Sequence, residues 1–76
     1  ILEALAYRRP VVSTTIGAEG LNLHDEIHLL IANRPRHFAE QCLRLIGNAA
    51  LAHRLADQGR AAVAESVRRF WGIDEP

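Results

Sequence analysis

The chain has 76 residues, nine basic and nine acidic side chains, and a sequence pI near 7.1. That length allows one small domain, which buries only about 60% of the surface its unfolded form exposes. Balanced charge argues against an electrostatic nucleic-acid binder, which shows a basic excess, and 49% apolar residues argue against a disordered composition. All the cationic residues are arginine, which reads as a compositional habit rather than a phosphate-binding array. The single cysteine, Cys42, rules out an intrachain disulfide. It falls on the apolar side of a predicted helix, where a thiol without activating partners behaves as a small hydrophobe. No apolar run is long enough to span a bilayer and no signal-peptide pattern is present, so the expected location is cytoplasmic.

The chain opens on Ile1-Leu2-Glu3-Ala4-Leu5-Ala6, apolar and rich in helix formers, with neither a start methionine nor a capping residue. Such an opening is expected of a piece of a longer protein. Ile1, Leu2 and Leu5 share an apolar face at helical spacing. Arg8 and Arg9 oppose the negative end of the helix dipole, and Pro10 ends the helix by forcing Arg9 toward extended geometry. Pro10 to Thr15 carries the β-branched Val11, Val12, Thr14 and Thr15 without clean alternation, which predicts a strand of a parallel sheet covered on both faces. Gly17 and Gly20 bracket Ala18 and Glu19 in a turn.

His24 to Glu26 reads as a solvated connection, and His28 to Ala32 as a second short strand. Asn33 is a capping type and Pro35 suits a first helical turn. Phe38, Ala39, Cys42, Leu43, Leu45 and Ile46 then recur at helical spacing as one stripe. Gly47-Asn48 stops that helix. A further helix is predicted from about Ala50 to Gln58, with a kink at Gly59 and continuation through Ala62, Val63, Val67 and Phe70. The ordered pattern ends at Trp71-Gly72, and the last four residues are expected to fray. The order helix, strand, strand, helix, helix predicts a helix-rich α/β fold with short parallel strands, a partial Rossmann-like unit. Two short strands do not make a stable sheet alone, which again implies missing neighbours.

Several side chains belong to types that carry chemistry. His24 and His28 have the i, i+4 spacing of a helical metal pair, but the segment reads as loop and strand, where that geometry fails. His37 and His53 lack an acidic or cysteine partner at ligand spacing. Ser13 has no histidine and acid in the pattern of a nucleophile elbow, and the glycines form neither a dinucleotide-binding fingerprint nor a P-loop. No metal is expected, and no residue is assigned a catalytic role.

The run Ile1-Leu2-Glu3-Ala4-Leu5-Ala6, then Pro10-Val11-Val12-Ser13-Thr14, then Gly17-Ala18-Glu19-Gly20 closely resembles the C-terminal domain of family-4 (group 1) retaining glycosyltransferases, which have the GT-B fold. The likeness continues through His28-Leu29-Leu30-Ile31-Ala32, Pro35 and Phe38-Ala39-Glu40. It runs on to Leu55, Gly59 and Arg60, and ends at Phe70-Trp71, so it spans nearly the whole chain. It implies one incomplete domain over residues 1–76 that contributes to binding a nucleotide-diphosphate sugar, the donor being substrate rather than cofactor. In that family two glutamates stand eight positions apart. Glu3 matches the second, whose implied role is to accept hydrogen bonds from the donor ribose hydroxyls. The first, implied to contact the transferred sugar, would precede Ile1.

Gly17 and Glu19 match a loop beside the donor site, although for Glu19 an ordinary solvated turn residue is the readier reading. Arg9 stands where the family usually has glycine, just before the proline, and is expected to avoid a left-handed backbone. The resemblance further implies transfer of the sugar to a glycan or lipid-linked glycan, at the inner face of the membrane in the full-length parent. These 76 residues alone are expected to be inactive. The other reading is a non-catalytic packing or oligomerisation module, whose unpaired strands and exposed helix faces would drive self-association.

Overall fold

The computed structural model of the chain describes residues 1–18 and 20–71, with the side chains of Phe70 and Trp71 left aside. The order of elements is α1 (Leu2–Ala6), β1 (Val12–Ser13), α2 (Thr15–Ala18), β2 (Leu30–Ile31), α3 (Pro35–Ile46) and α4 (Ala49–Trp71). The fold is helix-rich mixed α/β. Its two strands pair in parallel, with Val12 opposite Leu30 and Ser13 opposite Ile31. Glu19 and the expected fraying of the last four residues lie outside the described residues, as does Gly72.

α1 is short because its own sequence ends it. The Arg8 N–H donates to the Leu5 carbonyl at 3.0 Å and the Arg9 N–H to the Ala4 carbonyl at 2.9 Å. These paired bonds form a Schellman cap, which requires a left-handed residue at its corner. That residue is Arg8, with φ 58°, two positions before the proline; Arg9 has no positive φ. A side chain occupies a conformation that glycine adopts without cost.

The strands are shorter than the β-branched runs suggest. Thr14 and Thr15, expected at the end of β1, instead leave it. The Thr14 hydroxyl accepts the Gly17 N–H at 3.0 Å, and the Ala18 N–H donates to the Thr14 carbonyl at 3.1 Å. Thr14 thus caps a one-turn helix that includes Gly17, so Gly17 is helical rather than part of an open turn. Threonine competes well for this role because its hydroxyl can replace a backbone acceptor. Gly20, at φ 81°, is the glycine whose left-handed backbone makes the turn.

Asn33 does not cap α3 with its side chain. Arg34 holds the cap position in extended geometry, and Pro35 stands in the first turn as expected. The Asn33 amide reaches back across the sheet. Its Oδ1 accepts the Thr15 N–H and its Nδ2 donates to the Thr15 hydroxyl, both at 2.8 Å. The carboxyl ends of β1 and β2 are thereby clasped. Asn48 takes the capping role one helix later, its Oδ1 accepting the Leu51 N–H at 3.0 Å at the start of α4.

The core is small. Leu5, Leu29, Leu30 and Leu55 are fully buried, and Leu30 packs with Leu51 and Leu55 under Val12 and Leu45. The α3 stripe is only partly used. Phe38, Cys42 and Leu45 are half-buried, whereas Leu43 and Ile46 are 67% and 81% exposed. α4 runs through Gly59 without interruption. A Cβ at Gly59 would stand 2.5 Å from Leu5 Cδ2 and 3.1 Å from the His28 carbonyl oxygen. Gly59 therefore lets α1 and the 24–28 turn approach α4 closely, and the kink expected there is absent. Among the described residues no helix is long and apolar enough to cross a membrane.

Candidate functional site

Glu3 lies in the first turn of α1 and its side chain is exposed. It lines a shallow hollow of 540 Å³ with Ile1, Ala4, Tyr7 and Arg9. A carboxylate and a guanidinium therefore share one rim with the exposed ring of Tyr7, which is 72% accessible. Such a rim offers both an acceptor for hydroxyls and a cation for an anionic group.

Gly17 is close to the start of α1. A Cβ placed on it would lie 2.7 Å from Ser13 Oγ, 3.3 Å from Thr14 Oγ1 and 4.0 Å from Ile1 Cδ1. The absence of a side chain lets the first turn of α2 settle against the end of β1 and the beginning of α1. Gly17 does not line the Glu3 hollow, and Glu19 lies outside the described residues. Of the residues singled out in the sequence, Glu3 and Gly17 thus fall on neighbouring elements at one end of the sheet. Ser13, read as no nucleophile, is buried, and its hydroxyl donates to the Thr14 carbonyl at 3.0 Å.

A second, unanticipated grouping lies across α4. His24 and His28 meet with ring centroids 5.7 Å apart and planes inclined by 37°. A turn rather than a helix brings them together, since the His28 N–H donates to the His24 carbonyl at 3.1 Å. The His24 backbone N–H also donates to His28 Nδ1 at 3.0 Å. An accepting Nδ1 carries no proton, so the neutral ring holds its hydrogen on Nε2. That tautomer leaves no lone pair free on His28 for a metal, and among the described residues no group of three or more metal-ligating side chains forms. Burial and the neighbouring His24 ring hold His28 below the usual histidine pKa. The pair lines a hollow of 260 Å³ with Leu2, Leu21, Ser66 and Arg69 among its other walls.

Beside this turn, Glu26 has φ 67°. Two arginines hold it there. Arg44 of α3 grips the carboxylate with both terminal nitrogens, at 2.6 and 2.9 Å, and Arg54 of α4 donates to the Glu26 carbonyl oxygen at 3.3 Å. The Arg44 bonds keep the Glu26 carboxyl below its ordinary range and push the guanidinium higher. The i→i+18 spacing of Glu26 and Arg44 gives no local pattern to read. No family model, curated protein or solved structure matches this chain.

Proposed function

We propose that the chain forms part of the Rossmann-like, donor-binding half of a retaining glycosyltransferase of the GT-B type. In this reading Glu3 accepts hydrogen bonds from the ribose hydroxyls of a nucleotide-diphosphate sugar. Gly17, with Glu19, belongs to the segment flanking that donor. The observation that carries the reading is the meeting of the α1 start with the β1–α2 junction, where Gly17 faces Ile1. In parallel α/β sheets ligands bind outside the carboxyl ends of the strands, and that end of β1 is where the two segments carrying the resemblance come together.

The contribution is one of positioning. A carboxylate held on a short helix orients a ribose, and the barrier to sugar transfer falls chiefly through charge stabilisation of the departing diphosphate by groups elsewhere in the parent enzyme. The acceptor in that parent is a glycan or lipid-linked glycan, met in the cytoplasm or at the inner face of the membrane. The chain alone does not transfer sugar.

Titration with a nucleoside diphosphate, followed by backbone amide NMR, tests the reading. Half a donor site supports dissociation constants of about 1 mM or weaker. Shifts are expected at residues 1–5 and 14–18, and Glu3→Ala should remove them while leaving the fold intact. Shifts confined to other segments, or unchanged in Glu3→Ala, would refute it.

A second reading, a packing or assembly module, is favoured by a specific observation. Ile16, Leu43 and Ile46 are large apolar side chains left 67–82% exposed, and Leu43 and Ile46 stand one turn apart on α3. Sedimentation at high concentration separates the two, because a strict monomer excludes self-assembly through these side chains.

A further inference from the structure

We propose that the His24–His28 turn is an acid-released latch: protonation of His28 breaks its bond to the His24 backbone and loosens the two ends of the turn, His24 and His28, from the α1–α4 crossing.

The geometry makes the closed turn conditional on a neutral ring. His28 Nδ1 can accept the His24 N–H only while it carries no proton. Protonation turns that nitrogen into a donor facing another donor 3.0 Å away. It also sets a cation against the second imidazole at 5.7 Å. Both effects favour opening, and both act at the same five residues.

The turn has something to release. The His28 carbonyl oxygen sits over Gly59 of α4, next to Leu5 of α1. Leu29, the next residue, is fully buried, and Leu21 and Leu23 share the adjoining hollow. The middle of the turn is fastened independently. The Asp25 carboxylate accepts the Ile31 N–H at 2.8 Å, and Glu26 is gripped by Arg44 and reached by Arg54. Opening therefore pivots on Asp25 and Glu26 and leaves the β1–β2 ladder in place.

The charged groups around the pair leave histidine as the trigger. On its own segment Asp25 and Glu26 are carboxylates, and Glu26 is held below its ordinary range by Arg44. From α4, Glu65 and Arg69 face the hollow, with Glu65 bonded to Arg68 at 3.0 Å. From α1 only the apolar Leu2 lines it. His37 bonds to Gln41 on α3 and does not line the hollow. Between pH 7.5 and 5 carboxylates and arginine ordinarily keep their charge whereas imidazole does not, which leaves the His28 ring as the trigger.

Amide hydrogen exchange at pH 7.5 and pH 5, with rates corrected for the intrinsic effect of pH, tests the latch alongside NMR titration of the ring protons. The His24 and His28 amides should lose at least tenfold protection with the midpoint of the His28 ring, while the Leu55 amide keeps its own. His28→Asn supplies the decisive comparison. Its Oδ1 can replace Nδ1 as acceptor and does not titrate, so the turn should stay closed at pH 5. Equal protection at both pH values overturns the proposal, as does opening of His28→Asn at the wild-type midpoint. Loss of protection at Leu55 in step with His24 overturns it as well, because that marks global unfolding. A His28→Asn chain that fails to fold transfers the test to His24→Ala. That variant keeps the backbone donor but removes the second ring, which helps hold the His28 pKa down, so the midpoint should move to higher pH; an unmoved or lower midpoint overturns the proposal.

Discussion

Gly59→Ala probes a close approach of α1 and the 24–28 turn to α4. Two opposing terms act. Alanine in a helix interior is favoured over glycine by about 1 kcal/mol. Against this, the new methyl would lie 2.5 Å from Leu5 Cδ2 and 3.1 Å from the His28 carbonyl oxygen. Leu5 is fully buried, so its methyl yields only by displacing neighbours, and the carbonyl belongs to a backbone fastened by the 24–28 turn. Overpacking of this kind costs about 1–3 kcal/mol, and a contact with fixed backbone belongs at the upper end. The net expectation is destabilisation by about 1–2 kcal/mol, which in a domain this small lowers the melting temperature by roughly 4–16 °C.

Thermal and urea unfolding followed by helical circular dichroism measure it. Gly47→Ala is the control, because Gly47 is exposed with φ −87° and its Cβ would meet only the Leu43 carbonyl at 3.4 Å. It should be neutral or slightly stabilising. Leu5→Ala combined with Gly59→Ala should be less destabilising than the sum of the two, since the first empties the space the second fills. A Gly59→Ala chain as stable as wild type would show that α1 does not pack on α4 at this point.

Arg8→Gly should raise stability by about 0.5–1 kcal/mol, because φ 58° is strained for arginine and free for glycine; a loss of stability would argue against the Schellman cap. Stability should fall on mild acidification. His28 in the folded chain lies below its ordinary 6.5, so the unfolded chain takes the proton first. Its contribution is complete above 6.5 and is lost as pH drops from there toward the folded value; a flat profile between pH 7.5 and 5.5 refutes the assignment. Glu26 is likewise held below 4.5, so its contribution is present above 4.5 and disappears in a separate, more acidic window. Glu26→Gln should remove that second step and narrow the difference between low-salt and high-salt melting temperatures, because the bond to Arg44 is half-exposed and screened.

How much of this was legible in the sequence depends on the range of the cause. The stop before Pro10, the first-turn position of Pro35 and the break at Gly47-Asn48 follow from backbone chemistry within a few residues, and they stand in the structure. The parallel pairing of the two apolar runs was also readable, since neither alternates in the manner of a half-solvated strand. The failures arise where a side chain found a distant partner. Asn33 is a capping type in any local reading, yet Thr15 claims its amide from across the sheet. Gly59 signals a kink until Leu5 is seen against it. Arg9 avoids the left-handed region as expected, and Arg8 takes it instead, because the cap is counted back from the helix end and not from the proline. His24 and His28 lie outside any helix, as their segment reads, and a turn with a single i→i−4 bond brings the two rings together there without a local sequence signal. For the candidate site, Glu3 could be named only by its place in a longer pattern. Nothing in its own exposed surroundings distinguishes it from an ordinary surface glutamate.

The clasp between Asn33 and Thr15 joins residues 18 apart, and this has a kinetic consequence. Closing such a loop costs chain entropy before the clasp returns any enthalpy. α3 and α4 need only the two-residue turn at Gly47-Asn48 to meet. The helical pair should therefore assemble early and the parallel ladder late. Asn33→Ala then belongs on the unfolding limb of a chevron plot, quickening escape from the native state while leaving the folding rate almost unchanged.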